Sequence, residues 1–221
     1  MPLLWGWIAE QRKSAKYDRL YKNSISLGLT TETRTSTAAL CNFFRAERDV
    51  ELELHRLLDS PEFAPNRANT ARFGFGLRLQ CLVLSQIYPL EHFLDLDGEP
   101  EVRFGKGRES GKRVKRRLSE RRFKKALGLA PERAWSGDNR QGSCKSGSAL
   151  CRKAFWQWTF CRVEVRRLRP KNEIGELLGA MMDEGKTKKM PIRKLRSAVG
   201  AKAAILLFRE LATVVCRPDS D

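Results

Sequence analysis

His92, Asp95, Asp97 and Glu99 lie within eight residues of one another. Carboxylates spaced by two can share a Mg²⁺ ion and activate water for phosphodiester cleavage. The same stretch reads Asp95-Leu96-Asp97-Gly98-Glu99-Pro100, where Gly and Pro make a surface turn the simpler reading. Cys144, Cys151 and Cys161 are the next candidates, but six and nine intervening residues lack the close ligand pairs of closed zinc sites. The expectation is therefore no metal, no cofactor and no catalytic residue. Two histidines in the whole chain, His55 and His92, leave few groups that titrate near neutrality. No phosphate-binding loop, dinucleotide fingerprint, nucleophile elbow or paired metal-binding histidines stands in the sequence.

Charge is the stronger signal. The 221 residues hold 43 Lys and Arg against 26 Asp and Glu, a net charge of +17. Of these, 12 basic and 13 acidic side chains fall in the first hundred residues, leaving 31 and 13 to residues 101–221. One near-neutral half and one strongly basic half describe a packing body joined to a polyanion-facing surface.

The basic half resolves into three patches. The first holds Arg103, Lys106, Arg108, Lys112, Arg113, Lys115, Arg116, Arg117, Arg121, Arg122, Lys124 and Lys125, with glycines at 105, 107 and 111. Such density repels itself, and phosphates relieve the repulsion by displacing condensed counterions. In the second, Arg152, Lys153, Arg162, Arg166, Arg167 and Arg169 alternate with Phe155, Trp156, Trp158 and Phe160. Arginines on phosphates and rings on unpaired bases suit RNA or single strands, although closely spaced aromatics more often belong to a core. Lys186, Lys188, Lys189, Arg193, Lys194 and Arg196 form the third, with no acid between Glu184 and Glu210.

Elements to hold these patches read mainly as helices. Residues 3–29 have a helical apolar pattern, 30–37 a polar Thr/Ser run that reads as a loop or a cap, and 38–58 an amphipathic helix with Leu40, Phe43, Phe44, Val50, Leu54, Leu57 and Leu58. Residues 68–88 fit periods of 2 and 3.6 alike, with helix preferred. A basic Gly-rich loop follows over 104–111. Ser119 has the type of an N-cap, between Leu118 and Phe123 as a hydrophobic staple. Phe123, Ala126 and Leu127 make a buried stripe that Gly128 and Pro131 end. Residues 135–148 read as a linker, and the alternation Arg162, Val163, Glu164, Val165, Arg166 leaves room for a short strand or hairpin around 154–168. Helices over 173–183 and 192–215 close the chain.

The last segment resembles a helix-turn-helix in part. Leu195, Val199 and Leu206 stand at apolar positions of that motif, with Gly200 at its turn. Arg196 departs where the helices would cross, and Lys202–Arg209 is too apolar to face base edges, which fits a core helix better.

The expected protein is mainly α, with a near-neutral helical region 1–98 packed with a basic helical region 99–221. Its expected role is non-catalytic nucleic-acid binding, RNA in preference to DNA, within a ribosome-like or CRISPR-effector-like ribonucleoprotein. Protein neighbours would meet the N-terminal half. The alternatives are a DNA-binding regulator of helix-turn-helix type and a metal-dependent nuclease built on Asp95 and Asp97. No secretory leader or apolar run of about 20 residues is present, so the expected place is the cytoplasm, with an organellar matrix left open.

Overall fold

The computed structural model describes residues 3–24, 28–106, 111–136 and 139–216. Arg108 of the first patch lies outside them. The chain divides into two compact units, Met1–Leu57 and Leu58–Asp221. No described helix is long and apolar enough to cross a membrane.

In the first unit the expected helix over 3–29 is two, α1 (Leu3–Glu10) and α2 (Ala15–Lys22). Gln11 has a positive φ of 52°, which breaks the helix between them. The indole N–H of Trp7 donates to Asp18 Oδ1 at 2.9 Å, and its ring lies beside Tyr17 and Tyr21, tying α1 to α2. The threonine run is helical rather than looped, as the start of α3 (Thr31–Leu58). Thr30 Oγ1 accepts the Thr33 N–H at 3.2 Å, while the Thr35 and Thr37 hydroxyls donate to carbonyls four residues back. Those bonds satisfy the polar side chains within the helix itself. Further along α3, Leu40, Phe43, Val50 and Leu57 are exposed.

The second unit is mainly α with short hairpins. Around one core it packs α4 (Ala64–Arg72), α5 (Leu77–Ile87), α6 (Leu118–Ala126), α7 (Ala149–Trp158), α8 (Glu173–Thr187) and α9 (Ile192–Cys216). The strands β1 (Val102–Lys106) and β2 (Arg113–Arg117) pair antiparallel, as do β3 (Pro131–Ser136) and β4 (Asn139–Lys145). Segment 135–148, expected as a linker, thus holds most of the second hairpin.

Residues 154–168 contain no strand. Cys151, Phe155, Trp158, Thr159 and Val163 are all buried, and their spacing of three and four residues is helical. Burying that set requires a helix, so α7 runs directly into a π-helical turn, Thr159–Glu164. Phe75 meets Phe155 and Trp158 edge-on at 5.5 and 5.0 Å, and the Trp158 indole N–H donates to the Phe73 carbonyl at 3.1 Å. The buried indole therefore keeps its polar atom satisfied.

Gly200 does not mark a turn. It lies inside the continuous helix α9, buried, where an added Cβ would stand 3.6 Å from Thr159 Oγ1 and 3.8 Å from Phe155 Cβ. The apolar run from Ala203 to Phe208 needs the core on one side and has no break residue once φ at Gly200 is helical. A two-helix reading motif is thereby removed. Because those distances are ordinary contacts, Gly200→Ala is expected to stabilise α9 by up to about 1 kcal/mol through helix propensity. That corresponds to a Tm rise of about 2–4 °C for a chain of this size. A glycine at a left-handed turn would give the opposite sign in the same thermal melt.

Candidate nucleic-acid interface

The first patch is a ribbon rooted on a helix. β1 and β2 pair Val102 with Arg117, Arg103 with Arg116, Phe104 with Lys115, Gly105 with Val114 and Lys106 with Arg113. The expected Gly-rich loop over 104–111 therefore begins as a strand. All of these residues are exposed except Gly105, which is half-buried. Phe104 is 56% exposed, with the Arg113 guanidinium 4.5 Å from its ring centre. The Arg116 guanidinium lies across the bare backbone of Gly105 and donates to the Lys106 carbonyl at 3.2 Å.

Two acids hold the root. Glu101 binds Arg103 and Arg122, each at 2.7 Å, and Glu120 binds Arg117 at 3.0 Å and Arg209 of α9 at 2.8 Å. Ser119 is not the N-cap, which is Arg117. Its buried hydroxyl instead accepts the Glu101 backbone N–H at 2.8 Å, so the serine fastens β1 to α6. On the core side of α6, Phe123 is fully buried between Phe93 and Phe208, with both ring centres 5.3 Å away. Arg121 and Lys125 are exposed and Lys124 is half-buried on the same short helix. A cleft of about 440 Å³ opens between the ribbon root and α9, with Val102, Lys115, Arg117, Phe208 and Ala212 among its walls.

The second patch divides by role. Lys153, Arg162, Arg166 and Arg167 are exposed. Arg152 donates to the Gly128 carbonyl at 3.2 Å, which commits it to the join between α6 and α7. Arg169 grips Asp183 with two hydrogen bonds of 2.8 and 3.0 Å and the Val163 carbonyl with a third of 2.7 Å. The Arg169 bonds, with Arg166 alongside, hold the Asp183 carboxyl down to about 2 despite its partial burial. Since that pKa is depressed, its stabilising contribution exists above the ordinary carboxylate range and is lost as pH falls through about 2. Asp183→Asn is expected to lower Tm at neutral pH and to make no difference in the most acidic melts.

Its aromatics divide evenly. Phe155 and Trp158 are core, whereas Trp156 and Phe160 are 38% and 45% exposed and stack at 6.0 Å. The Arg196 guanidinium covers both rings at 4.8 and 4.5 Å and donates through Nε to Glu164 at 2.7 Å. Lys186 reaches the other Glu164 oxygen at 2.9 Å. Burial pushes the Glu164 carboxyl up, but the hydrogen bonds from Arg196 and Lys186 bring it below its ordinary value. Arg196, which opposed the helix-turn-helix comparison, is thus the link between α9 and the π turn. Of the third patch, Lys188, Lys189 and Arg193 are exposed, as is Lys194, and Lys188 is paired with Glu184.

The acidic stretch is a turn. Asp95 Oδ1 accepts the backbone N–H groups of Asp97 at 3.1 Å and Glu99 at 2.9 Å, so this carboxylate closes its own loop. Among the described residues, no three His, Cys, Asp or Glu side chains are grouped to hold a metal. Cys151 is buried and Cys161 exposed, while the Cys144 side chain lies outside what the structure describes.

Residues 109–172 match the transposase IS116/IS110/IS902 family. The matched stretch takes in β2, α6, the second hairpin, α7 and the π turn. No curated protein matches the chain. The family match overturns the expectation of a non-catalytic ribonucleoprotein subunit, ribosome-like or CRISPR-effector-like, because a transposase is an enzyme of DNA recombination. Metal and nucleophile spacings in the sequence give no sign of this, and a basic surface by itself carries no information about chemistry. The broader expectation of nucleic-acid binding agrees with the match, which gives RNA no preference over DNA.

Proposed function

We propose that this chain is a DNA-recombining enzyme of the transposase type, and that its second unit engages DNA. The family match over 109–172 carries the reading. The exposed cations of β2 and α6 lie inside that stretch and support it, since phosphate neutralisation supplies most non-specific DNA affinity. The exposed apolar residues of α3, Phe43 and Val50 among them, offer a place for protein neighbours.

The test uses the full chain and labelled duplexes taken from the DNA that flanks its gene. Expected are binding that weakens steeply with salt and protein-dependent strand cleavage or joining. Binding confined to RNA, or duplex binding without any strand breakage or joining over all divalent metals tried, would overturn the reading.

A further inference from the structure

Resting on the reading of the chain as a DNA-engaging protein, we infer that the β1–β2 ribbon lies in the major groove of duplex DNA, its Phe104 face toward the base edges. β1 falls outside the stretch matched to the family and β2 inside it, and the match assigns neither strand a role.

Its register carries the argument. The ten paired residues include six Lys or Arg and no acid. Arg103 stands directly across from Arg116, and Lys106 across from Arg113. Like charges directly opposed weaken a ladder, and an isolated two-stranded ribbon is marginal in water. Among the described residues, the acids nearby, Glu101 and Glu120, pair with the root of the ribbon, through Arg103, Arg117 and Arg122. Among the described residues, Lys106, Arg113 and Lys115 have no acidic partner. A polyanion is the partner that turns these repulsions into attraction.

Dimensions select the groove. Strands about 4.8 Å apart with side chains on both edges fit a groove about 12 Å wide and not one about 6 Å wide. Five residues at about 3.4 Å each span about 17 Å, or half a helical turn of DNA. Directly paired residues share a face. Phe104, Lys106, Arg113 and Lys115 therefore lie together, an exposed ring suited to thymine methyls among long cations that reach the phosphates on either wall of the groove. Arg103 and Arg116 lie on the opposite face, directed out of the groove, where Arg103 pairs with Glu101 and Arg116 with the Lys106 carbonyl. The deep, narrow major groove of an RNA duplex would not admit this ribbon.

The experiment compares the full chain with a variant carrying Lys106→Ser, Arg113→Ser and Lys115→Ser. Binding to duplex DNA, single-stranded DNA and duplex RNA is followed over a salt series. The double-logarithmic salt slope on duplex DNA is expected to become shallower by about 2 to 3, at about 0.9 for each phosphate that the variant no longer neutralises. Thermal melting shows whether the variant is folded. Independently of it, p-benzoylphenylalanine in place of Phe104 is expected to crosslink to duplex DNA, with crosslinking suppressed by methyl green in the major groove and not by distamycin in the minor groove. An unchanged slope in a folded variant, a crosslink suppressed by distamycin alone, or equal binding of duplex RNA through the same cations would overturn the inference. In those cases wild-type binding and processing of duplex DNA leave the proposed function standing. Failure of the wild-type chain to bind any DNA removes the function and the ribbon's role together.

Discussion

Gly147→Ala is expected to destabilise the second unit by about 3 kcal/mol or more, from a left-handed backbone penalty of about 1 kcal/mol and the displacement of packed neighbours. Gly147 has φ +76°, and an added Cβ would stand 1.8 Å from the Lys125 carbonyl oxygen and 2.8 Å from the Gly128 nitrogen. Gly128, at φ +69°, is locked from the other side, its own added Cβ 2.3 Å from the Ser148 carbonyl oxygen. Backbone meets backbone here, so no side-chain rotamer can yield. The two glycines bring the end of α6 against the start of α7, sealed by the Ser148 N–H bond to the Ala126 carbonyl at 3.0 Å. The second hairpin leaves and returns between them. A large fall in Tm is the expected measurement, and a change below about one degree would show that the join is pliant. Lys153→Ala, on the solvent side of α7, is the control expected to leave Tm unchanged.

Half of this lock is legible in the sequence. Gly128 followed by Pro131 stops a helix by residue type alone, and Phe123, Ala126 and Leu127 mark the buried side before it. Gly147 reads only as part of a Ser/Gly-rich stretch, because nothing local shows that Lys125, far earlier in the chain, packs on it. The same limit explains the ribbon. Phe104 to Lys106 looks like a loop until Arg113–Arg117 is laid beside it, and pairing across a turn is not a local property. At 154–168 the failure has another source. Alternating Arg and Val imitates a strand, but Cys151, Phe155, Trp158 and Val163 carry the helical period, and burial of the larger residues prevails. In α9 the apolar face of Lys202–Arg209 is legible and the continuity through Gly200 is not, since glycine is tolerated in a helix that the core holds on one side. Charge is the most legible feature and the least informative about chemistry: it indicates a polyanion and leaves the reaction open.

Phe123→Ala is expected to cost about 3 to 5 kcal/mol and to weaken DNA binding without removing a single cation. The ring is fully buried between Phe93 and Phe208, so truncation leaves a cavity that the rigid aromatics around it cannot collapse into. That cavity lies under α6, a helix of nine residues too short to persist without its packed face. The ribbon depends on α6 through Ser119 and Glu120, and Glu120 in turn ties the helix to Arg209 of α9. Loosening Phe123 should therefore let the ribbon lose its fixed orientation while the rest of the core still folds at low temperature. The expected signature separates this effect from charge loss. A folded Phe123→Ala protein would keep the wild-type salt slope if all cations still reach phosphate, yet bind more weakly because the ribbon must be ordered on contact. Phe123→Leu, which refills most of the volume, should recover both stability and affinity. An Ala variant that melts lower but binds duplex DNA as tightly as the wild type would show that the ribbon holds its orientation without the aromatic column beneath it.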